Sequence, residues 1–502
     1  LASRTRLHYQ IPTKQKAATR RPPSGSCKMS AEAKIMRHQP VETRLPATAA
    51  APVSEISQLT RAFLSGEQRS LDVTEACLER TLNPAGEGKR TFTKVWADEA
   101  RAGAAAQDSL MRAGYASSPI TGIPISVKDM LDVKGETTLA GSKALDDAPP
   151  AAADSPVVRR LKAAGAILVG RTNMAQFAFS IVGLNPHFGT PGNPWDRSRI
   201  PGGSSSGAAV SVADGMAIAA IGSDTVGSIR APAALCGVVG FKPTQSCVPR
   251  NGAIPLSITL DTIGPLARTV EDCAAVYGVI AGEPQQTPPA VALGGLRLAV
   301  PQTKVLDDLD TDVSRAFERA CSAISRANAS LSDTPFEYFE EIESRNGCGV
   351  IEYVDALAWH KDLLARRGHD YDPNVRARVE KGAHVAAADY AAMLERRKEL
   401  IGIFDRETRP FDALILPTVS IIAPTIEHCE RDEANVRSKL LRNPSLFNFL
   451  DRPAITIPIH QPGDAPVGLM VVGERYQDWR LLGIARALEA LFHGRHHGYA
   501  LV

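Results

Sequence analysis

The sequence predicts an α/β protein whose sheet carries helices on both faces. Helix-like and strand-like stretches alternate: Ser155 to Ala164 reads as a helix, Gly165 stops it, and Ala166 to Gly170 (AILVG) reads as a buried strand. Such alternation places helices over a sheet. Further short apolar runs, Ala217 to Gly222 and Asp412 to Pro417 (DALILP), also suit buried strands. At 502 residues and 44% hydrophobic content, the chain can bury a large core. Length alone suggests two or three domains, but an elaborated single α/β domain reaches this size.

Residues 1–50 stand apart, with ten Lys/Arg against the two acids Glu32 and Glu42. They read as a disordered or appended basic leader, with an organelle transit peptide as the alternative. From Ser54 the pattern turns helical, with Ile56, Leu59, Phe63 and Leu64 at helical spacing. A second helix begins near Ser70 or Asp72 and turns Val73, Cys77, Leu78 and Leu82 inward. A third runs from Ala97 to about Ala113. Pro124 to Asp129 is a strand: Ile123, Ile125 and Val127 alternate toward one face, and Lys128 points the other way. Asn193-Pro194-Trp195 forms a turn.

Two Gly/Ser-rich loops follow, Gly202-Gly203-Ser204-Ser205-Ser206-Gly207 and Gly222 to Arg230 (GSDTVGSIR). Loops of this composition let backbone approach a ligand and aim several N–H groups at one point. Tight turns between buried elements are the plain alternative. Ala208 to Ala213 suits a short helix, and Ser228 falls at a loop-to-helix junction with Pro232 in the first turn. A helix N-terminus collects unpaired N–H groups and favours negative charge. Gly282 to Gly295 is a Pro/Gly-rich surface loop or linker, and residues 296–410 return to a strand and then helices. Ala454 to Pro458 and Val467 to Val472 suggest a strand pair before a last helix from Asp478 to about Leu491.

IPGGSSSG, GSDTVGSIR running into PAALCGVVGFKPT, and ISVKD upstream resemble the amidase signature family, from about Ile56 to Leu491. The resemblance implies one large domain over residues 51–495 with a mixed central β-sheet. It places the nucleophile on Ser228, the bridging serine on Ser204 and the base on Lys128. It puts the oxyanion-hole amides on Thr225, Val226, Gly227 and Ser228, and implies a cis peptide between Gly203 and Ser204. Asp224, Arg230, Gly203 and Ser205 then act as supports of these loops; for Asp224 and Arg230 a local salt bridge is an equal reading.

The residues argue the same chemistry. Serine is a weak nucleophile until a base activates it. No histidine lies in these motifs, so a Ser-His-Asp triad is not signalled, whereas a lysine at the end of an apolar strand is desolvated toward a basic amine. Four departures stand out. Valine replaces the family's glycine at 226, which disfavours positive φ and adds bulk near the acyl carbon. Gln176 replaces an acid, and Asp451 and His460 replace glycines.

Composition excludes several classes. A net charge of +2 and 5% aromatic residues argue against nucleic-acid and membrane partners. Eight scattered cysteines form no C-x-x-C pair, which indicates neither a zinc site nor a disulfide framework and suggests a reducing, cytoplasmic setting. No cofactor or metal is expected. GGSSSG lacks the G-K-[ST] of a phosphate loop. The expected function is hydrolysis of a small, apolar or aryl carboxamide through an acyl-enzyme, by a monomer or homodimer. The alternatives are a carbamate, urea-type or ester hydrolase with the same triad, and an amidotransferase subunit that needs a partner.

Overall fold

A computed structural model describes residues 54–284, 286–345 and 347–493. The basic segment 1–50 lies outside the described residues. Among those described, eleven strands form a single mixed sheet. They are β1 (Phe92–Val95), β2 (Pro124–Lys128), β3 (Ile167–Thr172), β4 (Ala219–Asp224), β5 (Val239–Lys242), β6 (Thr262–Ala267), β7 (Arg297–Pro301), β8 (Ser330–Thr334), β9 (Ala413–Pro417), β10 (Ala454–Pro458) and β11 (Gly468–Val472). Their order is β1-β3-β2-β4-β6-β5-β10-β11-β9-β7-β8. β2 runs parallel to both β3 and β4, so the C-terminal ends of β2 and β4 lie side by side. β4 runs antiparallel to β6, and β10 and β11 form the expected antiparallel pair.

Both faces of the sheet are covered. Ile125, Val127 and Ile221 pack with Val157, Leu161 and Val270 on one side. Ala220 and Leu266 pack with Ala208 and Val212 on the other. This is why β2 is buried at every residue and shows no solvent face. The predicted alternation is therefore between two packed layers, and Lys128 points into protein. Ser126, on the same face as Lys128, bonds Ser211 of the helix Ser206–Ala213 at 2.9 Å.

The N-terminal helices form for the expected reasons. Ser54 caps the helix Glu55–Ser65 by accepting the Ser57 N–H, and Gly66 ends it at φ +77°. Leu82, expected inward, is exposed instead, as is Leu64: each sits at the last turn of its helix. Ser155 caps Pro156–Ala163 in the same way. Asn193 accepts the Trp195 N–H and donates to the carbonyls of Ile200 and Leu235, so the predicted turn also anchors the first glycine loop.

Candidate active site

The site gathers at the C-terminal ends of β2 and β4. Lys128 ends β2, Asp224 ends β4, and the helix Ser206–Ala213 starts beside them. Lys128 has no solvent-accessible surface. Its Nζ lies 2.7 Å from Ser204 Oγ, 2.9 Å from Ser205 Oγ and 2.8 Å from Ser223 Oγ. Burial pushes the Lys128 amine down to about 7, against the pull of the Asp224 and Asp261 carboxylates. A buried lysine surrounded by hydroxyls is poised to be neutral near pH 7.

The peptide Gly203–Ser204 is cis. Gly203 donates to the Ile181 carbonyl at 2.7 Å, and the Ser204 carbonyl accepts from Ala175 at 3.1 Å. A Cβ at Gly203 would lie 2.7 Å from Gly183 Cα, so backbone packs on backbone here and only glycine fits. The Ser205 N–H donates to the Ser228 carbonyl at 3.3 Å, which ties the two glycine loops together.

The second loop is wound around one carboxylate. Asp224 accepts the N–H groups of Gly227 at 2.8 Å, Ile229 at 3.1 Å and Arg230 at 3.3 Å. The same carboxylate accepts Arg230 Nε at 3.0 Å and Nη2 at 2.9 Å, and Asn448 Nδ2 at 2.9 Å. Burial alone would raise the Asp224 pKa. The charge and hydrogen bonds of Arg230, with Lys242 and Asn448, override it and hold the carboxyl well below the usual carboxylate range. The salt bridge and the support of the loop are one arrangement. Ser228, 1% exposed, is the residue this turn presents just before the helix Arg230–Cys236.

One expectation about this loop changes. The Gly227 N–H, assigned to the oxyanion hole, is committed to Asp224, because a carboxylate three residues earlier closes a tight turn onto it. Val226 has no positive φ; Gly227 takes that conformation at φ +128°. A Cβ at Gly227 would lie 2.6 Å from Pro444 Cγ. Val226 is buried with Leu260, Leu446, Phe449 and Leu450.

Sequence reasoning missed four residues. Ser223 supplies the third hydroxyl around Lys128; alternation from Ile221 places it on the Val127 face, opposite Ser126, so strand pattern does not mark the contact. Asp261 accepts the Thr225 hydroxyl at 2.6 Å and the N–H groups of Leu256 and Ser257. Burial raises the Asp261 carboxyl to about 6. Asn448 and Lys242 complete the surroundings of Asp224, and nothing local in the sequence marks either.

Gln176 and Asp451 show what their departures do. The Gln176 amide donates to the Asp370 carbonyl at 2.9 Å and accepts the Asp372 N–H at 2.6 Å, a pairing that a carboxylate could not make in full. Asp451 has φ +50° and accepts the Gln245 N–H at 3.1 Å. His460 lies against Gly237.

Comparison with known proteins gives the family. The family model described as Amidase matches residues 72–482, most of the chain. The chain belongs to the amidase family. It is thus a hydrolase of amide C–N bonds. A curated amidase relative, 2-amino-5-chloromuconic acid deaminase of Comamonas testosteroni, is 38% identical over 414 residues, 79% of this chain and 88% of that protein. A glutamyl-tRNA(Gln) amidotransferase subunit from Chloroflexus aggregans is 32% identical over 469 residues, 86% of this chain and 95% of that protein. A solved amidase structure superposes with a TM-score of 0.79 at 32% identity, covering 87% of this chain and 99% of that one. Among the described residues no helix is long and apolar enough to cross a membrane.

Proposed function

We propose that this amidase, with its domain over residues 51–495, cleaves a small, apolar or aryl carboxamide by a Ser228–Ser204–Lys128 relay. One observation carries the reading: a fully buried Lys128 places Nζ 2.7 Å from Ser204 Oγ, one hydrogen bond from the loop that presents Ser228. In the first half-reaction Ser204 gives its proton to Lys128 and takes that of Ser228, whose Oγ attacks the carbonyl carbon. The Ser228 proton, now on Ser204, then goes to the departing nitrogen, and Lys128 returns its own to Ser204. Water hydrolyses the acyl-enzyme by the same relay. The amides of Thr225, Val226 and Ser228 stabilise the tetrahedral oxyanion, with Gly227 shaping the turn. Loss of one such donor costs about 3 kcal/mol in other hydrolases.

Replacing Ser228 by Ala abolishes covalent labelling by a fluorophosphonate; labelling retained at another serine would refute the assignment. Activity rises as pH passes about 7, because the relay needs Lys128 neutral. A flat profile from pH 5 to 9 speaks against Lys128 as base.

The relatives favour two further readings. The deaminase relative extends the substrate range to C–N bonds of small unsaturated amino acids. The amidotransferase relative favours a partner-dependent subunit. Carbamates, urea-type amides and esters are accessible to the same triad. Turnover of matched aryl-acetamide and aryl-carbamate substrates by the isolated chain, with the Ser228→Ala control, separates them. Turnover without a partner excludes the partner-dependent reading and favours a stand-alone enzyme.

A further inference from the structure

The relay leaves one proton to be disposed of in each cycle. Deacylation by that relay gives the carboxylic acid and a neutral Lys128; when the acid then gives its proton to Lys128 through Ser204 and departs as a carboxylate, Lys128 is left as an ammonium. Lys128 is fully buried, and its ammonium must lose that proton to solvent before the next attack. Three hydroxyls touch Nζ. Ser204 serves Ser228. Ser205 donates its proton to the Ser223 carbonyl at 3.1 Å and accepts the Ser223 N–H at 3.3 Å, so it is held within the loops. Ser223 remains, 2.8 Å from Nζ.

Ser223 also lines a cavity of about 450 Å³, bounded by Met130, Asp261 and Ile263 and by the loop of residues 245–258. The cavity reaches solvent at Ser246, Asn251 and Ile258, all exposed. Arg250 and Asp261 are its charged lining residues, and the Asp224 and Asp261 carboxylates act on Lys128 by charge. One residue, Ser223, therefore lies between the buried base and an open, partly polar space.

We propose that Ser223 and this cavity form a proton port, through which Lys128 is returned to its neutral state. The inference rests on the Ser-Ser-Lys reading above. An Nζ–H bond breaks as an O–H bond forms on Ser223 Oγ. The original Ser223 O–H breaks at the same time, and its proton passes to a water or a small buffer base in the cavity. Lys128 ends neutral, Ser223 ends unchanged, and the base carries the proton out.

The test compares the acylation burst with steady-state turnover of a chromogenic aryl substrate. Ser223→Ala lowers steady-state turnover at least tenfold more than it lowers the burst rate or the fluorophosphonate labelling of Ser228. Imidazole, small enough to enter the cavity, restores that turnover, and Ser223→Thr stays within about threefold of wild type. Turnover of Ser223→Ala at the wild-type rate, or slow turnover that imidazole does not change, overturns the port. Ile258→Trp, at the exposed rim, keeps the test decisive if Ser223→Ala does not fold. It lowers kcat about threefold with KM unchanged, and a raised KM with unchanged kcat would make the cavity a substrate site instead. Failure of the underlying relay looks different: wild-type protein then gives neither a burst nor labelling that depends on Ser228.

Discussion

Two buried aspartates stand at the ends of neighbouring parallel strands, each facing an arginine, and they behave in opposite ways. Asp224 and Arg230 are both completely buried, and every oxygen of the carboxylate is used. Arg230 spends Nε and Nη2 on Asp224 and also reaches Asn448 and Met470. Asp129 follows Lys128 and meets Arg171 through one contact of 3.3 Å. Arg171 is buried too, yet among the described residues its Nε and Nη2 have no hydrogen-bond partner. Its remaining bond goes to the Leu131 carbonyl, and its guanidinium lies 5.8 Å from the Trp96 ring centre. Burial raises the Asp129 carboxyl to about 6 against the pull of Arg171, whereas Asp224 stays well below the ordinary range. Burial is the same in both. The charge of Arg230, with its hydrogen bonds and the charge of Lys242, decides the sign at Asp224. The well-made pair holds the Ser228 loop, and the poorly made one sits beside Lys128 without gripping it.

The largest expected effect is at the well-made pair. Asp224→Asn leaves Arg230 charged, buried and without a counter-ion, so unfolding free energy falls by about 3–5 kcal/mol. Fluorophosphonate labelling of Ser228 slows at least a hundredfold, because the turn loses the acceptor that organises it. Urea denaturation and labelling rates read both. A wild-type labelling rate in this variant would show that the loop shapes itself without Asp224.

Titration sharpens the contrast next. The Asp129 pKa is raised on folding, so the native state binds the extra proton. Stability contributed by this group is present below its unfolded value of 3.8 and is lost as pH rises through about 6. The Asp224 pKa is depressed, so its contribution is present above 3.8 and is lost as pH falls below it. Denaturation of wild type between pH 4 and 6 should therefore lose roughly 2 kcal/mol more than Asp129→Asn over the same interval. Parallel curves for the two proteins would remove the distinction.

At pH 4, where Asp129 is largely protonated, Asp129→Asn should cost about 1 kcal/mol, the scale of a single hydrogen bond, and at pH 7 it should change labelling less than threefold. A loss as large as that of Asp224→Asn would make the two pairs equivalent. The smallest effect belongs to the double variant Asp129→Asn with Arg171→Met. Removing a weakly bonded buried charge together with its partner should leave stability within about 1 kcal/mol of wild type. Thermal melts of the single and double variants measure the difference.

Much of this was legible in the chain itself. The helices of Ser54 to Arg112 follow from apolar spacing and caps, because those signals are local and period-bound. The glycine loops follow from composition: at Gly203 the approach of Gly183, and at Gly227 a positive φ, exclude other residues. The motif order brought Lys128, Ser204 and Ser228 into view as a set. The first strand, β1, and the antiparallel strands β5 and β6 escaped notice, because short runs such as FTKV and VGFK look the same in loops and in sheets.

By itself, then, the sequence determined the α/β class, the two glycine loops and the residue types able to carry amide hydrolysis. Local periodicity and steric demand depend only on neighbouring residues, so they can be read along the chain. Only the tertiary structure decided that Lys128 is buried from both faces of the sheet and surrounded by three hydroxyls. It alone assigned the Gly227 N–H to Asp224 and brought Asn448 and Asp261 to the loop from more than thirty residues away. Desolvation and hydrogen-bond geometry are properties of three-dimensional neighbours. Which of two buried aspartates grips its arginine is settled when the sheet closes around them.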